Sequence, residues 1–116
     1  MKIQVTKIEA GQTIKVASIW KTEASLAYAV REIAAGWKYA TEDKKHYEER
    51  LAKGISGSLN TTGKHTVELQ VLEVKEYAEY GGYSQNGRTV GFNETLLVTD
   101  QGSFLVQNRN KVTLVD

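Results

Sequence analysis

The chain of 116 residues contains neither cysteine nor proline. Without cysteine it can form no disulfide bond, no thiolate metal site and no cysteine nucleophile. Without proline it has no rigid proline-rich linker, and its strands and helices are not interrupted by that residue. A chain without disulfides suits a reducing compartment, so we expect a cytoplasmic protein.

Long apolar runs and a charge excess are also missing. No segment approaches the roughly 18 apolar residues that a membrane-spanning helix requires, and the N-terminal stretch MKIQVTKIEA alternates like a strand, so we expect no membrane association. The 15 basic and 14 acidic side chains give a formal net charge of +1. Duplex-DNA-binding proteins usually carry a clear basic excess, so a nucleic-acid ligand would depend on a local patch and on stacking.

Signatures of catalysis and of metal binding are absent from the sequence. The two histidines, His46 and His65, are far apart and have no ligand at short spacing, whereas a metal site needs about three or four convergent ligands. The stretch GSLNTTGK, residues 57–64, resembles a phosphate-binding loop, but a histidine follows it where Ser or Thr would bind magnesium. No Gly-x-Ser-x-Gly elbow is present. We therefore expect a protein that is not an enzyme and has no cofactor or metal.

The N-terminal residues predict β-structure. Over residues 1–20 apolar and polar side chains alternate, with a turn at Gly11, which predicts a β-hairpin. The apolar face of its second strand comprises Ile14, Val16 and Trp20.

Residues 22–53 predict helix. Apolar or small side chains recur there at helical spacing, at Leu26, Val30, Ile33, Trp37, Ala40, Tyr47 and Leu51. A single helix of this length would protrude from a domain of this size, so we favour two helices with a break between Gly36 and Thr41. One long helix that dimerises is the alternative. Gly54 is expected to end the helical segment.

The first part of this pattern predicts an interface. The helical stripe, defined as Leu26, Val30, Ile33 and Trp37, is the expected surface of a homodimer. Trp20 and Trp37 both lie on predicted apolar faces, so we expect both rings to pack in a core.

The remainder predicts a second β-region. Residues 54–64, GISGSLNTTGK, are expected to form a flexible connector. Residues 65–116 predict antiparallel strands, and the change of phase between Val71 and Leu72 indicates a β-bulge. This order predicts one α+β domain, an antiparallel sheet or small OB-like barrel of about five strands with the helical insert between strands 2 and 3.

The least ordinary segment is EYAEYGGYSQNGRTVGF, residues 76–92. Its Asn86-Gly87 pair predicts a hairpin, because a type I′ turn needs positive φ at both central positions. The facing pairs are then Tyr83 with Val90, Ser84 with Thr89, and Gln85 with Arg88. Aromatic faces beside an arginine on a β-ribbon are suited to stacking and to holding the backbone of single-stranded nucleic acid. The candidate ligand-binding residues are Tyr77, Tyr80, Tyr83, Arg88 and Phe92.

Part of this segment resembles a known DNA-binding family. The run YSQNGRTVGFNETLLVTDQGSFLV, residues 83–106, combines a polar glycine-bearing hairpin, a basic residue, an Asn-Glu pair, an apolar strand and an Asp-x-Gly turn. In these features it is similar to the DNA-binding wing and following strand of the filamentous-phage gene V single-strand-binding proteins, which form an OB-type barrel. The resemblance implies that Tyr83, Arg88 and Phe92 contact single-stranded DNA. The preceding helical insert and the missing basic excess depart from that family.

Three interpretations of the hairpin follow. Single-stranded nucleic-acid binding is the leading expectation. The alternative is a protein inhibitor of the kind that phages and mobile elements encode, such as an anti-CRISPR or other anti-defence protein, because tyrosine is enriched in protein interfaces. A hairpin without a ligand is the third, since tyrosine also stabilises ordinary sheets through cross-strand pairs.

Overall fold

The structure, a computed structural model, describes residues 1–77, 83–85, 88–90 and 94–115. In these ranges the chain is α+β, with two α-helices, ten strands and one short 3-10 helix. In chain order they are β1 (Lys2–Gln4), the 3-10 helix (Val5–Lys7), β2 (Thr13–Val16), β3 (Ser18–Lys21), α1 (Thr22–Ala34), α2 (Ala40–Ala52), β4 (Gly57–Asn60), β5 (Val67–Tyr77), β6 (Tyr83–Gln85), β7 (Arg88–Val90), β8 (Glu94–Thr99), β9 (Gly102–Gln107) and β10 (Lys111–Val115).

Within the described residues, eight strands form one mixed sheet in the order β1-β10-β2-β5-β8-β9-β4-β3. Its neighbours there are antiparallel except for β4 and β9, which run parallel. β1 and β3 form its two edges, yet Ile3 of β1 and Ile19 of β3 pack against the same apolar cluster. The sheet therefore curls around that cluster into a half-barrel.

The core fills the concave side of the curled sheet. Its buried members are Val5, Ile8, Ile14, Val16, Leu59, Leu69, Val71, Leu97, Phe104, Val106 and Val112. Successive side chains of a strand point to opposite faces, so Leu105 of β9 points away from this cluster and is nevertheless buried. Ala29 of α1 and Ala40 of α2 are also buried outside the cluster, and α1 contacts β3 and β4. The helices thus cover the outer face near this edge of the sheet.

The break between the two helices is confirmed, and α1 packs against α2. Gly36 follows the C-cap of α1 and terminates the helix, and its φ of 98° suits a residue without a side chain. The Gly36 N–H donates to the Ile33 carbonyl at 3.0 Å and the Trp37 N–H donates to the Glu32 carbonyl at 3.0 Å, which is a Schellman cap. Gly54, with φ of 79°, ends α2 as expected. Neither described helix is long and apolar enough to cross a membrane.

The predicted bulge in β5 is confirmed, because its pairing with β8 shifts between Val71 and Glu73. Val71 is buried before the shift, whereas Leu72 and Val74 are exposed after it. The strand therefore carries two apolar side chains on its surface.

The expected N-terminal hairpin is wrong. Three strands form from the first 21 residues, and β10 lies between β1 and β2 instead of leaving them as direct neighbours. The chain breaks its alternation at Ala17, whose N–H donates to the Asn60 carbonyl at 2.9 Å. That break shifts the phase by one residue, so Ile19 packs against the core and Trp20 does not. The helical insert consequently follows the third strand, not the second, and the strand count exceeds the expected five.

The connector expected over residues 54–64 is also wrong, because β4 lies inside it and pairs with both β3 and β9. Gly57, the first residue of β4, allows the backbones of β3 and β4 to approach each other closely. A Cβ on Gly57 would collide with the Trp20 carbonyl oxygen and lie 3.2 Å from the Lys21 Cα. The glycine at position 57, which in the sequence suggests flexibility, is therefore required for the packing of β3 against β4.

Gly57→Ala should lower the free energy of unfolding by about 1–3 kcal/mol or more, because the new methyl group must push two paired backbones apart. Urea denaturation followed by circular dichroism measures the change. Thr66→Ala, at an exposed position, is the control and should stay within about 0.5 kcal/mol of the wild type. An unchanged stability of Gly57→Ala would contradict the close approach of β3 and β4.

Candidate functional site

The β6–β7 ribbon lies in the segment where the sequence predicts ligand binding. Its register is confirmed: the pairs are Tyr83 with Val90, Ser84 with Thr89, and Gln85 with Arg88. Residues that face each other across strands share a face, as do residues two apart on one strand. Positions 83 and 88 therefore share one face of the ribbon, and positions 84 and 89 share the other.

Of the other three predicted contact residues, the structure describes only Tyr77. Tyr77 ends β5, where it is half-buried, and its buried hydroxyl oxygen has no hydrogen-bond partner among the described residues. Its ring is thus less open for stacking than the sequence suggests. Tyr80 and Phe92 lie outside the described residues.

The root of the ribbon is rich in carboxylates. β5 and β8 end there side by side, with Tyr77 paired to Glu94. Glu73 and Glu76 are exposed on β5, and the Lys75 ammonium lies 3.7 Å from the Glu73 carboxylate. Carboxylates repel phosphates, so this part of β5 does not favour a nucleic acid.

The two histidines do not form a site. His65 Nδ1 lies 2.7 Å from Thr113 Oγ1, and its Nε2 lies 2.7 Å from the Thr61 carbonyl oxygen. A carbonyl only accepts, so Nε2 donates to it, and in the neutral ring Nδ1 then accepts from the Thr113 hydroxyl. His65 thereby ties the segment before β5 to β10. Among the described residues no group of three or more His, Asp or Glu could hold a metal ion.

An exposed aromatic surface is the feature that the sequence analysis missed. Its members, with their exposed fractions, are Trp20 (60%), Tyr28 (59%), Trp37 (54%) and Tyr39 (63%). The expectation that Trp20 and Trp37 pack in a core is therefore wrong. Trp20 points outward because the alternation breaks at Ala17. Trp37 lies in the segment that connects α1 to α2, and its ring contacts the Tyr39 ring edge to face, with 5.6 Å between the centroids.

A groove of about 440 Å³ lies between β3, α1 and α2. Small side chains of α1, including Ala24 and Ala29, leave the space open, and Trp20, Tyr28 and Tyr47 line it with aromatic rings. The aromatic groove, as we call it, draws its lining from three elements that are separated in the sequence.

Three charged side chains also line the aromatic groove: Glu32 of α1, Asp43 of α2 and Lys21 at the end of β3. A hydrogen bond from the Tyr28 hydroxyl to Glu32, together with the negative charge of that carboxylate, raises the pKa of Tyr28. Among the described residues, neither Glu32 nor Asp43 has a cationic partner within 4.0 Å. The groove therefore combines aromatic faces with two carboxylates that have no ion pair there.

Comparisons of the chain with protein-family models, with curated proteins and with solved structures gave no match. The resemblance of residues 83–106 to the filamentous-phage single-strand-binding proteins stays a prediction. Function must accordingly be inferred from the ribbon and the aromatic groove.

Trp37→Ala should lower the free energy of unfolding by less than about 1 kcal/mol, because more than half of this side chain is already in water. Phe104→Ala should cost about 3–5 kcal/mol, because that ring is buried in the central cluster. Urea denaturation of both variants gives the two values. A cost above about 2 kcal/mol for Trp37→Ala would contradict the exposure of its ring.

Proposed function

We propose that this chain is a non-catalytic binding protein that holds single-stranded nucleic acid on the β6–β7 ribbon. The observation that carries the proposal is the register, which puts an aromatic and a basic position, Tyr83 and Arg88, on one face. A base stacked on a tyrosine ring contributes about 1–3 kcal/mol, and an arginine beside it neutralises a phosphate.

The half-barrel supports the proposal by anchoring the ribbon. β5 and β8 flank the ribbon in the sequence and lie next to each other within the sheet. Tyr77, at the end of β5, pairs with Glu94, at the start of β8, so the chain leaves the sheet and re-enters it at neighbouring positions. A curled β-sheet that presents a ribbon is an arrangement suited to a single strand, which can lie along a groove while its bases stack.

A second candidate is a protein inhibitor that uses the same ribbon, of the anti-CRISPR or other anti-defence kind. The carboxylates at the ribbon's root favour it, because Glu73 and Glu76 repel phosphates but attract a basic protein surface. Tyrosine and arginine are also the side chains that most often dominate binding energy in protein interfaces.

Fluorescence anisotropy with labelled single- and double-stranded oligonucleotides, at about 50 and 200 mM salt, tests the first proposal. Tyr83→Ala should weaken single-strand binding about fivefold or more through lost stacking. Arg88→Ala should weaken it and also reduce its salt dependence by roughly one phosphate contact. Ser84→Ala and Thr89→Ala, on the opposite face, are matched controls and should bind like the wild type.

The nucleic-acid proposal would be refuted if the protein did not bind single strands at low salt. It would also be refuted if substitutions on both faces of the ribbon lowered the affinity equally. In that case affinity capture from host lysate, with Tyr83→Ala and Arg88→Ala as negative controls, tests the inhibitor. A protein retained by the wild type and lost by both variants would support it.

A homodimer through the helical stripe is also proposed. Val30 and Trp37 are exposed and Leu26 and Ile33 are half-buried, so the stripe offers apolar surface to a second copy. Two ribbons in one dimer would bind a strand with avidity. Light scattering should then give a dimer mass that Val30→Glu reduces to the monomer mass. A monomer mass for the wild type at every concentration would refute the dimer.

A further inference from the structure

We propose that the aromatic groove binds the side chain of an arginine presented by a partner protein. The groove lies on the helical side of the sheet, and its residues belong to β3, α1 and α2. The inference therefore goes beyond the function proposed for the ribbon and does not depend on it.

The lining of the groove selects a cation. Trp20, Tyr28 and Tyr47 line the groove, and aromatic rings attract positive charge through their quadrupoles. Glu32 and Asp43 add two negative charges from the two helices. A neutral apolar occupant would strip water from both carboxylates without replacing it, and an anion would be repelled by them.

Arginine satisfies the groove better than lysine does. Its planar guanidinium stacks on aromatic rings, is weakly hydrated, and offers donors that match a carboxylate in pairs. The Tyr28 hydroxyl already donates to Glu32, which holds that carboxylate in place and leaves its other acceptor positions for a ligand. The volume of about 440 Å³ falls within the range of ligand sites and accommodates the side chain with part of its peptide backbone.

Lys21 is the one charge in the lining that opposes this ligand. Its ammonium offsets part of the negative charge, and among the described residues it has no ion pair with Glu32 or Asp43. Lysine is long and flexible, so it can move aside when a guanidinium enters. Lys21→Ala should therefore strengthen binding of a cation, which is the opposite of what a phosphate or nucleic-acid ligand would show.

The test uses the fluorescence of Trp20, which becomes the single tryptophan in a Trp37→Phe background. The probe is a blocked five-residue peptide with a central arginine between alanines and glycines. The control peptide has citrulline at that position, which keeps the planar shape and length of arginine but replaces the guanidinium by an uncharged urea with fewer N–H donors and a carbonyl acceptor. The arginine peptide should change the Trp20 emission saturably, and the citrulline peptide should bind at least about fivefold more weakly.

Substitutions in the same background locate the interaction. Glu32→Gln and Asp43→Asn should each weaken the arginine peptide about two- to fivefold, whereas Lys21→Ala should strengthen it. Glu42→Gln is the matched control, because Glu42 shares the first turn of α2 with Asp43 but does not line the groove. Circular dichroism verifies that each variant is folded, and Tyr83→Ala should bind the peptide normally, which separates this site from the ribbon.

Equal binding of the arginine and citrulline peptides would overturn the proposal, since the groove would then recognise shape instead of charge. No saturable change up to about 10 mM arginine peptide would overturn it as well. A loss of peptide binding that follows protein concentration would show that a second copy of this chain fills the groove, and would also overturn it.

Discussion

The apolar cluster inside the curled sheet is the interaction on which the rest of the structure depends. It joins the two edges of the sheet, because Ile3 at one edge and Ile19 at the other pack against it. Burial of these side chains is therefore gained only when the sheet bends. Leu105 and the helical Ala29 and Ala40 are buried outside this cluster, and α1 contacts β3 and β4. The aromatic groove lies where β3 meets these helices, so its geometry depends on how the sheet edge and the helix pair pack together.

Features of the fold that depend on local backbone conformation were predictable from the sequence. Gly36 and Gly54 end helices because each adopts a positive φ, and the register of β6 and β7 is the one predicted from the Asn86-Gly87 pair, which itself lies outside the described residues. The bulge near Val71 follows from a local change of phase. Features that depend on distant pairing were not predictable. β4 has only one large apolar residue, Leu59, and owes its strand conformation to β3 and β9.

The ribbon and the aromatic groove also differ in how far the sequence predicts them. The ribbon is continuous in sequence, so its register, and with it the candidate residues Tyr83 and Arg88, could be predicted from the sequence alone. The aromatic groove combines Trp20 with α1 and α2 residues, and it exists only because the alternation breaks at Ala17. A period-two pattern read through that break assigns Trp20 to the wrong face. The sequence does contain one sign of the groove, the high density of aromatic residues between positions 20 and 47. The periodicity of the apolar residues, however, assigns several of these aromatic residues to a core.

The position of β10 also constrains the order of folding. Residues 111–115 lie between β1 and β2, so the N-terminal strands are joined by a segment from the far end of the chain. During synthesis β1 has no partner strand among the described residues until residues 111–115 have left the ribosome, whereas β2 can pair earlier with β5. The helix pair, whose contacts are local, can form much earlier. Among the described strand pairs, the β1–β10 ladder joins residues that are farthest apart in the sequence, so it closes the largest loop and completes the half-barrel last.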